Sequence, residues 1–189
     1  PLVALTVHRA FFRCARPAPG QHLLVNGCAG GLGHIAVQMG KALGYRVTGV
    51  CSTRNLEVAK CLGADAVIDY TSQSPLDGEQ RYDLIFDAVA NLNFSTAKRS
   101  LTPSGVYVSS IPSPTNMLAA PLLNRFRGKK HRTVWVAPDG ASLRQITEMV
   151  EAGQINPIIE KTYPLEEIQA AHAHSETGRV VGRLSLRVP

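Results

Sequence analysis

The chain has 189 residues, of which 44% are hydrophobic and 18% are charged, and its formal net charge is +6. This composition is typical of a soluble globular protein, and the length suits one large domain or a domain with an appendage. No apolar run approaches the roughly 20 residues of a membrane-spanning helix, and no secretory signal opens the sequence. The four cysteines are widely spaced without a Cys-x-x-Cys pair, which disfavours a disulfide scaffold and a structural zinc site. We therefore expect a cytoplasmic protein, or more broadly an intracellular one with an organelle not excluded.

The first predicted elements surround a glycine-rich turn. Residues 2–12 are predicted to form a helix, and residues 22–25 a short buried strand. After the turn Asn26-Gly27-Cys28-Ala29-Gly30-Gly31-Leu32-Gly33, apolar residues recur at helical spacing over residues 32–43. A strand, a glycine-rich turn and a helix form the arrangement that binds a dinucleotide pyrophosphate, although a purely structural turn has the same pattern.

The second predicted strand, residues 46–50, is followed by a stretch that lacks an acidic residue. The dinucleotide fingerprint expects a carboxylate about 20 residues after the glycines, where it would hold the ribose hydroxyls. Here the sequence is Cys51-Ser52-Thr53-Arg54, and the first carboxylate is Glu57. Two hydroxyls and a guanidinium would bind a 2′-phosphate, which a carboxylate would repel. The sequence therefore predicts NADP(H) rather than NAD(H), whether or not Ser52 or Thr53 also caps the helix expected over residues 55–62.

The later elements continue this alternation of strands and helices. We predict strands at 66–69, 82–87, 105–109 and 133–136, a helix at 94–101, and another that begins after Gly140 and ends at Gly153. The crossover over residues 72–81 is polar and is expected to be irregular. Alternation of this kind predicts an α/β fold, a Rossmann-type doubly wound parallel sheet. We assign residues 1–154 to a nucleotide-binding domain and residues 155–189 to a C-terminal segment with a small helix and a final strand.

Six segments resemble the nucleotide-binding half of the medium-chain dehydrogenase/reductase superfamily, in its zinc-independent quinone oxidoreductase branch. In chain order they are Pro19-Gly20-Gln21, the glycine turn, Leu62-Gly63-Ala64-Asp65, Val67-Ile68-Asp69-Tyr70, Tyr82-Asp83-Leu84-Ile85-Phe86-Asp87 and Gly178-Arg179-Val180-Val181-Gly182-Arg183-Leu184. The resemblance implies that residues 155–189 would complete a GroES-like catalytic domain. The N-terminal stretch that supplies most of that domain in the family has no counterpart in this sequence.

The resemblance implies an NADP(H) site at the carboxyl ends of the strands. Backbone N–H groups facing the pyrophosphate would be those of Gly30, Gly31, Leu32 and Gly33. Side chains holding the 2′-phosphate would be those of Ser52, Thr53 and Arg54. Residues lining the adenine, the nicotinamide ribose and the nicotinamide would be Tyr70, then Val89, Ala90 and Asn91, then Ser109 and Ser110.

Several of these residues have a structural alternative. Tyr70 could instead cover the sheet edge, and Ser109 and Ser110 could be ordinary strand-end residues. Arg179 could reach the 2′-phosphate if the tail folds back, but a solvated surface arginine is favoured. Asp87 and the other aspartates that flank strands are expected to be turn residues rather than catalytic acids.

The activity implied by the resemblance is zinc-independent hydride transfer from NADPH to a quinone or an α,β-unsaturated carbonyl. Zinc alcohol dehydrogenases place a ligand cysteine shortly before the threonine that matches Thr6, and residues 1–5 contain no Cys, His or Glu. The catalytic residues stay unknown. An alternative is an NADP-binding module, or a truncated form, that has no activity of its own.

Two further expectations concern partners. The basic run 125–132 could bind nucleic acid or an anionic membrane surface, but we favour a solvated loop and expect no nucleic-acid partner. The sixth strand is expected at the sheet edge, where exposed backbone groups favour a homodimer.

Overall fold

Six parallel strands form the central sheet of the structure, a computed structural model that describes residues 1–16, 18–111 and 128–188. They are β1 (His22–Asn26), β2 (Arg46–Cys51), β3 (Ala66–Asp69), β4 (Tyr82–Asp87), β5 (Leu101–Ser109) and β6 (Lys130–Thr133). Their order across the sheet is β3-β2-β1-β4-β5-β6. The winding direction reverses between β1 and β4, so the predicted Rossmann-type doubly wound fold is confirmed.

Helices connect most of these strands. They are α1 (Leu2–Arg9), which continues as a π-helical turn over Ala10–Ala15, α2 (Gly33–Ala42), α3 (Leu56–Cys61), α4 (Phe94–Ala97), α5 (Gly140–Glu151) and α6 (Ile168–Glu176). A 3₁₀ turn at Thr53–Asn55 leads into α3. Between β3 and β4 the chain crosses over without a helix, as its polar composition predicted.

The core lies on both faces of the sheet because successive strand side chains point to opposite sides. On one face Leu23 and Val25 of β1 belong to the cluster that also contains Phe11 and Met39. On the other face Leu24 joins a smaller cluster beneath the β3–β4 and β4–β5 connections. This two-sided burial explains why the central strands read as continuous apolar runs.

Two predicted elements are displaced in the structure. The helix predicted over 94–101 ends at Ala97, because Leu101 pairs with Tyr82 and lengthens β5 at its start. The sixth strand lies at Lys130–Thr133 rather than 133–136, and Trp135 is 56% exposed. β6 lies at the edge of the sheet, as expected for the sixth strand, and polar side chains are tolerated there.

The C-terminal segment forms a second, two-stranded parallel sheet of β7 (Ile159–Pro164) and β8 (Arg183–Arg187). A backbone hydrogen bond of 2.8 Å from Gly182 N to Ala29 O ties it to the glycine turn. The domain boundary near residue 154 stays a prediction. Across the three described stretches of the chain, no helix is both long enough and apolar enough to span a membrane.

Candidate functional site

The glycine turn between β1 and α2 folds tightly against itself. Gly27 has a left-handed φ of 75°, and a Cβ on Gly33 would collide with Gly27 O and lie 2.7 Å from Cys28 Cα. No larger residue than glycine fits at position 33 without moving the backbone. This close approach brings the start of α2 against the end of β1, as the glycine spacing predicted.

The amides of the turn divide into two groups. Gly30 N donates to Gly27 O at 3.0 Å within the turn, and its implied role as a phosphate donor stays a prediction. Within the described residues, the amides of Gly31, Leu32 and Gly33 have no hydrogen-bond partner. They lead into a ten-residue helix that begins at Gly33, and unpaired N–H groups and the helix dipole at such an N-terminus favour an anion.

A cleft of about 640 Å³ opens beside this turn, at the carboxyl ends of the strands and at the reversal of strand order. The sequence-predicted residues that line it are Gly30, Ser52, Thr53, Arg54, Tyr70, Val89 and Asn91. The predicted residues outside its lining are Gly31, Leu32, Gly33, Ala90, Ser109 and Ser110. The first three of these lie at the adjoining helix terminus, so the structure brings most of the predicted set to one edge of the sheet.

The end of the cleft near β2 carries two arginines. Arg54 Nη2 donates to the backbone carbonyl of Arg179 at 2.8 Å, although the two residues are 125 positions apart. Arg179 and its neighbours Gly178 and Val180 line the cleft. The favoured interpretation of Arg179 as a solvated surface residue agrees with its exposure, and the folded tail also brings this residue to the border of the cleft. No local pattern signals this contact, since only the folded tail creates it.

Thr53 has a partner that the sequence analysis missed. Its hydroxyl donates to Asp69 Oδ2 at 2.5 Å and lies 2.9 Å from the Thr71 hydroxyl. These hydrogen bonds, with those that Thr71 donates, hold the pKa of Asp69 below its usual range. Neither Ser52 nor Thr53 caps the following helix through its side chain. The capping alternative is therefore wrong, and Thr53 engages the end of β3.

At the other end of the cleft, the loop after β4 is held by buried Asp87. Its Oδ1 accepts hydrogen bonds from Asn26 Nδ2 at 2.7 Å and Ala90 N at 2.8 Å, and its Oδ2 accepts one from Leu92 N at 2.9 Å. Ala90 adopts a left-handed φ of 61°, which turns the loop back over the sheet. Asp87 is therefore the turn residue that we expected.

Tyr107 and Asn26 extend this network. The Tyr107 hydroxyl donates to Asp87 Oδ2 at 2.7 Å, and burial, with the nearby carboxylate, raises the pKa of Tyr107. Asn26 Nδ2 also donates to Asn91 Oδ1 at 2.7 Å, which fixes that side chain at the cleft. The network connects β1, β4 and β5 to the loop that bears Val89 and Asn91.

The predicted serines at the end of β5 are engaged elsewhere. Ser109 Oγ donates to Ile111 O at 3.1 Å, and Ser110 Oγ donates to Ala88 O at 3.2 Å. Neither residue lines the cleft. This arrangement favours the strand-end alternative for both.

The basic run is only partly described, since Arg125 and Arg127 lie outside the described residues. His131 is buried beside Phe94, with ring centroids 4.9 Å apart, and burial lowers its pKa. Lys129 Nζ donates to the backbone carbonyl of Lys98 at 2.8 Å. His131 therefore belongs to the core rather than to a charged surface.

Comparison with known proteins identifies the family. The family model described as zinc-binding dehydrogenase matches residues 62–186. The chain belongs to the zinc-binding dehydrogenase family, within the medium-chain dehydrogenase/reductase superfamily. The words zinc-binding describe the family and do not by themselves place zinc in this member. Among residues 1–16, 18–111 and 128–188, no three His, Cys, Asp or Glu side chains group as a metal site would require.

Relatives of this zinc-binding dehydrogenase family member include two curated oxidoreductases. The chloroplastic quinone-oxidoreductase QR1 of Triphysaria versicolor is 29% identical over 97% of this chain and 59% of its own length. The mitochondrial NAD(P)H oxidoreductase RTN4IP1 of Mus musculus is 32% identical over 100% of this chain and 54% of its own length. The chain therefore spans little more than half the length of these curated relatives.

A solved structure supports the fold assignment. The quinone oxidoreductase from Coxiella burnetii matches with a TM-score of 0.88 and 26% sequence identity, over 100% of this chain and 59% of that chain. The match extends over both sheets of the family member described above.

Proposed function

We propose that the chain binds NADPH and serves as the nucleotide-binding part of an oxidoreductase that delivers a hydride to a quinone or an α,β-unsaturated carbonyl. The proposal is supported by the names of relatives that act on quinones or use NAD(P)H. The unpaired amides at the start of α2 suit a pyrophosphate, and the adjoining cleft has a volume within the usual range for ligand sites.

The observation that carries the preference for NADPH is the charge at the β2 end of the cleft. Arg54 and Arg179 both border it, and none of its lining residues is an aspartate or a glutamate. Asp69 is not a lining residue, and its carboxylate accepts hydrogen bonds from Thr53 and Thr71, which do line the cleft. Guanidinium groups form charge-assisted hydrogen bonds with phosphate, so a 2′-phosphate would be favoured here.

The remaining contacts of the proposed site are backbone groups and short side chains. The amides of Gly31, Leu32 and Gly33 would hold the pyrophosphate, and Val89 with Asn91 would orient the nicotinamide ribose. Tyr70 is 58% exposed at the cleft and would cover the adenine. When bound, the nicotinamide supplies the hydride, and the protein contributes position and orientation.

Titration calorimetry with NADPH and NADH tests the proposal. Arg54→Ala is expected to weaken NADPH binding by roughly 10- to 100-fold, because it removes a charged partner of the 2′-phosphate, and to leave NADH binding nearly unchanged. Arg46→Ala is the matched control, since Arg46 is exposed at the opposite end of β2. Equal affinity of the native chain for the two nucleotides would contradict the preference, and failure to bind either would contradict the nucleotide site.

Zinc independence and activity are separate parts of the proposal. We expect metal analysis of the purified chain to find less than one zinc per molecule and NADPH binding to survive a chelator. The alternative is a nucleotide-binding module without activity of its own. Quinone-dependent NADPH oxidation by this chain alone would reject that alternative.

The homodimer through β6 also stays a proposal. It is supported by the position of β6 at the edge of the sheet, next to β5. Equilibrium sedimentation of the native chain tests it, and a monomer at micromolar concentration would contradict it.

A further inference from the structure

Two cysteines meet where the glycine turn touches the end of β2. Cys28 lies in the turn and is fully buried, whereas Cys51 is the last residue of β2 and lines the cleft. The Cys28 side chain lies against Gly49, and Cys51, two residues further along β2, is on the same face of the sheet, so the two thiols are neighbours. All four cysteines of the chain are free thiols. The pair is not part of the contacts assigned above to the cofactor.

The backbone holds this pair together. Cys28 N donates to Val50 O at 2.9 Å, so the turn is fastened to the residue that precedes Cys51. Gly49 makes room for the Cys28 side chain, because a Cβ at position 49 would lie only 2.8 Å from Cys28 Sγ. A disulfide requires Cα atoms within about 7 Å and Cβ atoms directed toward each other, and two thiols on one face of hydrogen-bonded segments suit that requirement.

We propose that Cys28 and Cys51 form a reversible dithiol–disulfide site that a peroxide oxidises through the nucleotide cleft. Cys51 is the attacking residue, since it faces the cleft, and Cys28 is the resolving residue behind it. The neighbouring Cys28 thiol lowers the pKa of Cys51, while the neighbouring Cys51 and burial raise the pKa of Cys28. This asymmetry supports the order of reaction.

The chemistry balances with one peroxide. The Cys51 thiolate attacks one peroxide oxygen, the O–O bond breaks, and the products are a sulfenic acid and one water after proton uptake. The Cys28 thiol then attacks the Cys51 sulfur, forming the S–S bond and releasing the sulfenic oxygen as a second water. Two thiols are oxidised by two electrons in total, and the peroxide is reduced by two.

The disulfide would change the cleft, and this consequence rests on the proposed nucleotide site. An S–S bond is about 2.05 Å long, which is shorter than any contact between hydrogen-bonded thiols. Its formation draws the turn that bears the phosphate-binding amides toward the strand that leads to Arg54. We expect oxidation to weaken NADPH binding by about tenfold, within the usual range of coupling between sites. Bound NADPH would cover Cys51, and at 100 times its Kd it would slow oxidation by up to about 100-fold.

The test treats the full chain with hydrogen peroxide, blocks remaining thiols and identifies linked peptides by mass spectrometry. The native chain is expected to give a Cys28–Cys51 link that a reducing agent reverses. Cys28→Ala is expected to leave Cys51 as a sulfenic acid that dimedone traps, and Cys28→Ser provides a second variant if Ala perturbs folding. Cys61→Ser is the matched control, since Cys61 is exposed and distant from the cleft lining, and it should leave the link unchanged.

The outcomes separate this inference from the proposed function. Oxidation of Cys61 or Cys14 in the native chain without a Cys28–Cys51 link would overturn the dithiol site. A link that forms at the same rate with and without NADPH, in a chain that binds NADPH, would overturn the coupling to the cleft. A link in a chain that binds no NADPH in its reduced form would support the dithiol site and reject the proposed function.

Discussion

Replacement of Asp87 tests whether one buried carboxylate determines both stability and the shape of the cleft. Asp87 is fully buried at the end of β4, where it accepts hydrogen bonds from three backbone amides, from Asn26 and from Tyr107. Asp87→Ala removes the acceptor for all of these donors at once. Tyr107 keeps a second acceptor in the Leu92 carbonyl, whereas Asn26 keeps Asn91 for only one of its two amide protons. The loss therefore falls on the backbone amides and on one Asn26 N–H.

The magnitude follows from those amides. The bonds from Ala90 N and Leu92 N are 2.8 and 2.9 Å long, whereas that from Val89 N is 3.3 Å and lies beside an exposed residue. A buried donor left unsatisfied costs about 1–3 kcal/mol. The Ala90 and Leu92 amides are part-buried, so each is placed in the lower half of that range. Together they predict a fall of about 3 kcal/mol in the free energy of unfolding, a large share of the 5–15 kcal/mol of a typical domain.

Urea unfolding followed by circular dichroism measures this change. Asp87→Asn keeps the shape and one acceptor oxygen, so it is expected to lower the free energy of unfolding by about half as much as Asp87→Ala. Asp77→Ala is the control, because Asp77 is exposed in the β3–β4 crossover, and its effect should stay within about 0.5 kcal/mol.

NADPH affinity, measured on the folded fraction of Asp87→Ala, should fall as well, since Val89 and Asn91 lose their fixed loop. The reasoning is refuted if Asp87→Ala lowers the free energy of unfolding by less than about 1 kcal/mol and leaves NADPH affinity at the native value.

Three other predictions use different parts of the molecule. Gly33→Ala is expected to lower the free energy of unfolding, measured in urea, by about 3 kcal/mol or more, because its Cβ would collide with Gly27 O. Gly30→Ala, whose Cβ would lie 3.4 Å from the same oxygen, should fold normally and mainly weaken NADPH binding. Equal destabilisation by the two substitutions would contradict this packing. Tyr107→Phe should lower the free energy of unfolding by about 1–2 kcal/mol, through loss of its bonds to Asp87 and Leu92, and an unchanged urea midpoint would argue against them. Burial lowers the pKa of His34 below 6.5, so as the pH falls the unfolded chain is protonated at this residue before the folded chain, and stability should decrease below that pH. His34→Gln should reduce the pH dependence of the urea midpoint. An unaltered dependence would reject the assignment.

The strands were predictable where burial imposes a simple pattern. The predicted bounds of β3 and β4 match the structure, and those of β1 and β2 differ by one residue at one end. β1, β2 and β4 are central strands, which are apolar on both faces in a parallel sheet, and β3 is an edge strand marked by a short apolar run. The edge strand β6 was misplaced, since its register with β5 is set by backbone pairing rather than by its own side chains. The predicted helix α4 was too long for a similar reason, because Leu101 pairs with Tyr82 of β4 and so belongs to β5.

The candidate site was predictable in part. The glycine turn and Ser52-Thr53-Arg54 follow strands directly, so their place at the carboxyl edge of the sheet follows from the order of elements along the chain. The hydrogen bond from Thr53 to Asp69 was not predictable, because Asp69 belongs to a different strand. Ser109 and Ser110 lie at the carboxyl end of β5, as predicted, but their hydroxyls donate to the backbone carbonyls of Ile111 and Ala88.

The sequence by itself determined the order of strands and helices, the doubly wound class and the chemistry offered by the glycine turn and Arg54, because these depend on local periodicity and residue type. Only the tertiary structure decided that Arg54 bonds the backbone of Arg179, that Asp87 holds the loop after β4, and that Cys28 meets Cys51. Each of these contacts joins segments from different elements, and their distances are set by sheet pairing and by the return of the C-terminal segment. Spacing along the chain carries no information about such distances.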